Sequence, residues 1–282
     1  MGERTEYAPG TFSWADVNTT DQEGAKAFYS GLFGWEAEDL PVGDGISYSM
    51  MRLDGKNVAA ISPQQPQQRD AGVPPLWNSY VTVASADAAA EKAGQLGATV
   101  HAPPFDVMTA GRMAVIQDPQ GAFFMVWEPR ENIGAHLVNA PGALAWNELA
   151  SPDVDASIRF YGDMFGWVTD PYEDSPQRYE LIKNGDRNNG GIRELGDQPA
   201  PPHWLVYFGI DDIERGLARV DELGGTKLIG PMDIGNGADR SPAGSAGCGL
   251  RDLRRAVRGL AGLVLVVAPP PLVRWRLRCV GR

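Results

Sequence analysis

Cysteine is almost missing: Cys248 and Cys279 are the only two among 282 residues, and the first 247 residues have none. A disulfide framework or a Cys-rich zinc site therefore cannot hold the bulk of the chain together. Histidine is as scarce. His101, His136 and His203 are the only three, and no second His or carboxylate accompanies any of them at ligand spacing. Long apolar runs are absent too: the longest, residues 260–268, falls far short of the roughly 20 residues that cross a bilayer. No membrane partner is expected. The opening MGERTEYAPG is charged and has no apolar stretch of signal-peptide length, which points to the cytoplasm.

Positive charge is scarce everywhere but the end. Residues 240–282 carry nine Arg, no Lys and one Asp, a charge of +8, so the rest must carry −19 to reach the total of −11. A body this acidic repels nucleic acid, which excludes that class of partner, and keeps itself soluble. It gives no hint of a substrate or of the oligomeric state.

What the chain does have is a repeat. Residues 14–35, WADVNTTDQEGAKAFYSGLFGW, return as residues 146–167, WNELASPDVDASIRFYGDMFGW. Trp14, Asp21, Phe28, Tyr29, Phe33, Gly34 and Trp35 each recur 132 positions later, so the chain reads as a tandem duplication. Each copy predicts strand, turn, helix, strand. Residues 12–19 alternate apolar and polar, and Asp21 is placed to accept from free N–H groups at a helix start. Ala25, Phe28, Tyr29, Leu32 and Phe33 fall on one helical face, and Gly34 ends it.

A hairpin over residues 47–62 follows, turning at Gly55. Residues 63–75 are a polar, Pro-flanked connector, after which the plan restarts with a strand at 77–83, an Ala-rich helix at 84–96 and a short strand at 99–101. A last hairpin, 112–117 and 123–128, turns on Asp118-Pro119-Gln120-Gly121, since Pro fixes φ and Gly tolerates positive φ. Residues 10–129 then form a first domain, 130–141 a linker and 142–238 a second domain. Matches at offsets of 131 (Tyr48 and Tyr179) and 127 (Trp77 and Trp204) confine the length changes to turns.

The W-x-[DE]…D…A-x-x-FY-x-x-x-FGW pattern, together with the Asp-Pro-Gln-Gly turn, resembles the vicinal oxygen chelate superfamily, which includes glyoxalase I, bleomycin-resistance proteins and extradiol dioxygenases. Within it the chain is similar to two-domain actinobacterial glyoxalase-like proteins, over about residues 10–238. The resemblance implies an α+β fold of tandem domains. Each would hold two βαβββ modules curled into a partly open barrel around a cleft. After residue 238 the match stops. The second domain then lacks its last hairpin, and residues 239–282 read either as the product of a shifted reading frame or as a basic arm for an acidic partner.

Metal-using relatives hold a divalent ion on His, Gln or Glu from the first strand of each module and Glu from the last strand. The resemblance puts those positions at Trp14, Trp146, Asn78, Leu205 and Met125, with Glu128 out of parity, which is no ligand set for a metal. The expectation is therefore no cofactor, a divalent metal being the less favoured case. Asp16 and Glu148 share a strand face with Trp14 and Trp146. On a concave face they would be candidate catalytic carboxylates or anchors for a ligand cation; on the other they would meet solvent or pair with Arg. Trp14, Trp77, Trp127, Trp146 and Trp204 are candidates for an aromatic ligand pocket or, singly, for the core, with Tyr48, Asn78, Tyr179 and His203 as further ligand contacts; Arg112 either holds an anionic ligand group or pairs with Asp106 at the surface. Two functions stay open: an enzyme acting on a small oxygenated molecule, of hydroxylase, lyase or dioxygenase type, or a non-catalytic binder that sequesters an aromatic ligand.

Overall fold

The computed structural model describes residues 2–227 except 44, 174, 176 and 197–199, together with the backbone of 262–265. The first half runs β1 (Phe12–Thr19), α1 (Gln22–Phe33), β2 (Glu36–Gly43), β3 (Ile46–Leu53), β4 (Lys56–Pro63), α2 (Pro66–Asp70), β5 (Leu76–Thr82), α3 (Ala86–Gln95), β6 (Thr99–Val107), β7 (Gly111–Gln117) and β8 (Phe123–Pro129). The second runs β9 (Leu144–Ser151), α4 (Val154–Phe165), β10 (Val168–Pro171), β11 (Tyr179–Asn184), β12 (Arg187–Glu194), β13 (His203–Ile210), α5 (Ile213–Glu222) and β14 (Gly262–Leu265).

The helices begin and end where their caps dictate. Asp21 and Asp153 accept from the backbone N–H of Gly24 and Ala156, while Gly34 and Gly166 close α1 and α4 at φ 74° and 75°. That left-handed conformation is cheap only without a Cβ. Two expectations need correction. The 63–75 connector contains α2, started by Pro66 in its first turn. β6 continues through Pro103-Pro104 instead of stopping at 101, because it is an edge strand and its register shifts there, so no ladder bond is demanded of either proline.

β1 pairs parallel with β4 and antiparallel with β5, and β5 pairs parallel with β8, so two βαβββ modules join through β1 and β5. The resulting eight strands, in the order β2-β3-β4-β1-β5-β8-β7-β6, form a curled half-barrel. The second sheet has the order β10-β11-β12-β9-β13-β14. Beside β13 runs a four-residue antiparallel strand, where β5 has the seven-residue parallel β8. Both readings of the 239–282 tail concern residues outside those described, apart from this backbone.

The buried core is shared between the two halves. One core packs Phe28, Tyr29, Trp35 and Trp77 of the first half against Phe208, Ile210 and Val220 of the second. The other packs Val81, Ile116 and Phe124 against Phe160, Tyr161, Trp167 and Trp204. Helices cover one face of each sheet, and those helices then seal against the other half. Reciprocal bonds mark the seam: Trp35 Nε1 donates to the Gly142 carbonyl and Trp167 Nε1 to the Gly10 carbonyl, each at 2.7 Å. Among the described residues no helix is long and apolar enough to cross a membrane.

Candidate functional site on the concave faces

Alternate residues of a strand face opposite sides of its sheet. Trp77 donates its indole N–H to Tyr29 of α1 at 3.0 Å, so odd-numbered neighbours such as Val17, its partner on β1, lie on the helix side. Trp14, Asp16, Asn78 and Tyr80, paired as Trp14 with Tyr80 and Asp16 with Asn78, therefore line the concave side. There they form a closed set of bonds. Trp14 Nε1 donates to Tyr48 Oη at 2.9 Å. Tyr48 and Tyr80 donate to Asp16 Oδ2 at 3.1 and 2.8 Å, and Asn78 Nδ2 donates to Asp16 Oδ1 at 2.8 Å.

Asp16 is 4 % exposed. Burial pushes its pKa above the usual carboxylate value, although Asn78, Tyr80 and Tyr48 all favour the charged form. The same burial, reinforced by the Asp16 charge, pushes the Tyr48 and Tyr80 phenols well up, so both stay protonated as donors. Met50, Met125 and Trp127, all buried, stand around this cluster.

The second half builds the same figure. Trp146 Nε1 donates to Tyr179 Oη at 2.9 Å, and Tyr207 Oη donates to Glu148 Oε1 at 3.0 Å. Arg193 Nε adds a 2.8 Å ion pair to the same oxygen. Burial and then the Glu148 charge raise Tyr179 and Tyr207. Gly191, facing Glu148 across the parallel β9–β12 pair, has no Cβ for a reason: one placed there would lie 2.2 Å from Tyr179 Oη.

The structure thus brings Trp14, Asp16, Tyr48 and Asn78 together on one concave face, and Trp146, Glu148 and Tyr179 on the other. His203 pairs with Ala150 on the second concave face. Trp127 shares the first, its indole bonded to the Asn132 carbonyl. Three expected ligand contacts are corrected. Trp77 and Trp204 lie on the helix side and donate to Tyr29 and Tyr161, because strand parity excludes Trp77 from the face of Asn78 and Trp204 from that of His203. Arg112 holds Asp87 through two bonds of 2.7 and 2.8 Å and Asp106 at 2.9 Å, and its guanidinium keeps both carboxyls below their ordinary range. It is a surface clasp on α3. Tyr80, Tyr207 and Arg193 were missed. The first two were within reach, standing two residues beyond Asn78 and Leu205 and separated by the same 127 positions as Trp77 and Trp204.

The positions that a metal would need do fall on the concave side, but their side chains do not suit it. The Trp14 indole is a donor only, Leu205 has no donor atom, Asn78 supplies no more than a neutral amide oxygen, and Met125 offers a thioether. No group of three or more His, Cys, Asp or Glu among the described residues could hold a metal ion. A cavity of about 490 Å³ lined by Phe33, Leu53, Lys56, Pro141 and Asp211 lies away from both carboxylates.

The family model described as Glyoxalase/Bleomycin resistance protein/Dioxygenase superfamily matches residues 11–126 and 142–244. CFP32 of Mycobacterium tuberculosis (strain CDC 1551 / Oshkosh), a protein named as a glyoxylase, is 42 % identical over 236 residues, covering 83 % of this chain and 90 % of its own. The anthracycline biosynthesis protein DauV of Streptomyces sp. (strain C5) is 33 % identical over 274 residues, covering 89 % and 96 %. Among solved structures, the Mn(II)-bound glyoxalase from Novosphingobium aromaticivorans superposes with a TM-score of 0.56 at 17 % identity, over 82 % of this chain and 75 % of that one. The 2,3-dioxygenase LapB from Pseudomonas sp. KL28 gives 0.55 at 13 % identity, over 81 % and 86 %. Likeness at such identities shows the fold alone.

Proposed function

The chain belongs to the glyoxalase/bleomycin resistance protein/dioxygenase superfamily, and on that footing we propose that it acts on a small oxygenated molecule at its concave faces, with Asp16 and Glu148 as the catalytic carboxylates. The observation that carries this reading is the Trp–Tyr–carboxylate–Tyr figure, built twice despite different loop lengths. A buried carboxylate whose pKa is raised holds a proton more readily than a free one, and the protonated phenols beside it can donate to a ligand oxygen. The described donors do not suit a metal, so the reading relies on these side chains. The name of DauV supports a planar, polycyclic oxygenated molecule as the class.

A second reading has its own support. Asp16 already accepts three bonds, and indole, phenol and thioether side chains surround it, which suits a binder that holds an aromatic guest unchanged. One experiment covers both. The full chain is titrated with an anthracycline while Trp fluorescence is followed, and the mixture is then analysed by mass spectrometry. Saturable quenching with a new product supports the enzyme, and saturable quenching with intact ligand supports the binder. Absence of quenching removes both.

A further inference from the structure

The two concave faces share one figure but differ in the row of residues beside it. In the first half that row is Ser62, Asn18 and Leu76, all uncharged, in register across β4, β1 and β5. In the second it is Arg193, Ala150 and His203, across β12, β9 and β13. Strands lie about 4.8 Å apart, so Arg193 and His203 flank Ala150 across a span of roughly 10 Å. One burial differs as well: Tyr80 is buried, whereas its counterpart Tyr207 is half-buried, like Tyr179, Arg193, Leu205 and His203 around it.

Both basic side chains have capacity left. Arg193 places Nε on Glu148 and Nη1 on the Glu194 carbonyl at 3.0 Å, and its Nη2 has no partner among the described residues. His203 Nδ1 lies 2.7 Å from the Pro201 carbonyl. A carbonyl only accepts, so Nδ1 carries the proton and Nε2 keeps its lone pair in the neutral ring. Burial, helped by Arg193 and opposed by the Pro201 bond and Glu148, pulls the ring below the ordinary histidine pKa. The other titratable groups on this face are the protonated Tyr179 and Tyr207 phenols.

We infer that the second concave face is a site for an acidic phenol or enol, which gives its proton to His203 Nε2 and is held as the oxyanion by Arg193. The ligand O–H bond breaks, an N–H bond forms on the imidazole, and the electron pair stays on the ligand oxygen. No oxidant or other reactant is required. This deepens the reading that the concave faces take small oxygenated molecules, and rests on it.

The test is an absorbance titration of the full chain with a hydroxyanthraquinone that is neutral in free solution at the working pH and absorbs at longer wavelength when ionised. The bound probe should show the ionised spectrum. His203→Gln should return the neutral spectrum with binding retained, Arg193→Met should weaken binding by about tenfold or more, and Val73→Ala, exposed between α2 and β5 and on neither face, should change neither. A bound probe with the neutral spectrum, or an ionised spectrum that survives His203→Gln, overturns this site and leaves the broader reading standing. No binding at all overturns both.

Discussion

The Tyr161 hydroxyl, on the first helix of the second half, donates to Asp118 Oδ2 in the last turn of the first half at 2.7 Å, while accepting from Trp204 Nε1 at 2.9 Å. Asp118 Oδ1 meanwhile takes the backbone N–H groups of Gln120, Gly121 and Ala122. A residue that the sequence placed only in a turn is thus also an anchor between halves. Tyr161→Phe would leave both a carboxylate oxygen and an indole N–H unpartnered in a buried place. A loss of roughly 1–3 kcal/mol is expected, measured by urea unfolding.

Asp16 carries a pH signature. Its native pKa stands above the unfolded value of roughly 3.9, so the native state binds the proton more tightly. Its contribution to stability is therefore fullest below the unfolded pKa and is lost as pH rises through the raised native one. Asn at this position cannot titrate. The stability of the wild type minus that of Asp16→Asn should fall with rising pH across that window, by up to about 1.4 kcal/mol per unit. Asp118 is also raised, but it is present in both proteins and cancels. A difference that stays flat would remove Asp16 as a proton-holding group.

Gly191→Ala should act on the second face alone. The new Cβ meets the Tyr179 ring and hydroxyl, so Tyr179 must leave Trp146 and Glu148. A cost of about 1–3 kcal/mol is expected, with ligand-dependent quenching of Trp146 lost. Unchanged quenching in a folded variant would show that Tyr179 does not shape the site.

Because the donor set does not suit a metal, dialysis against a chelator should leave the melting temperature and ligand affinity unchanged, and added Mn(II) should raise neither. A metal that binds only the folded chain would raise the melting temperature measurably.

How much of this could be read from the residues alone varies with the range of the interaction. Caps such as Asp21 and Gly34 act within one turn, so helix ends were legible, and period-two alternation placed Trp14 beside Asp16. Trp77 and Asn78, neighbours on one strand, could not both face a ligand. Parity alone could have rejected one of them, though not said which. Arg193 meets Glu148 only through the register of β12 on β9, which no local pattern sets. The shared cores lay beyond reach for the same reason, since Phe208 stacks edge-on to Trp77 at 4.9 Å from 131 positions away.

The paired indole bonds from Trp35 to Gly142 and from Trp167 to Gly10 bear on what either half can do alone. Each half closes the other's entry strand, so excising either would strip a buried N–H and a carbonyl of their mates and bare an aromatic layer to water. A chain severed between the halves should therefore stay in solution only while both pieces remain together, each serving as the other's lid.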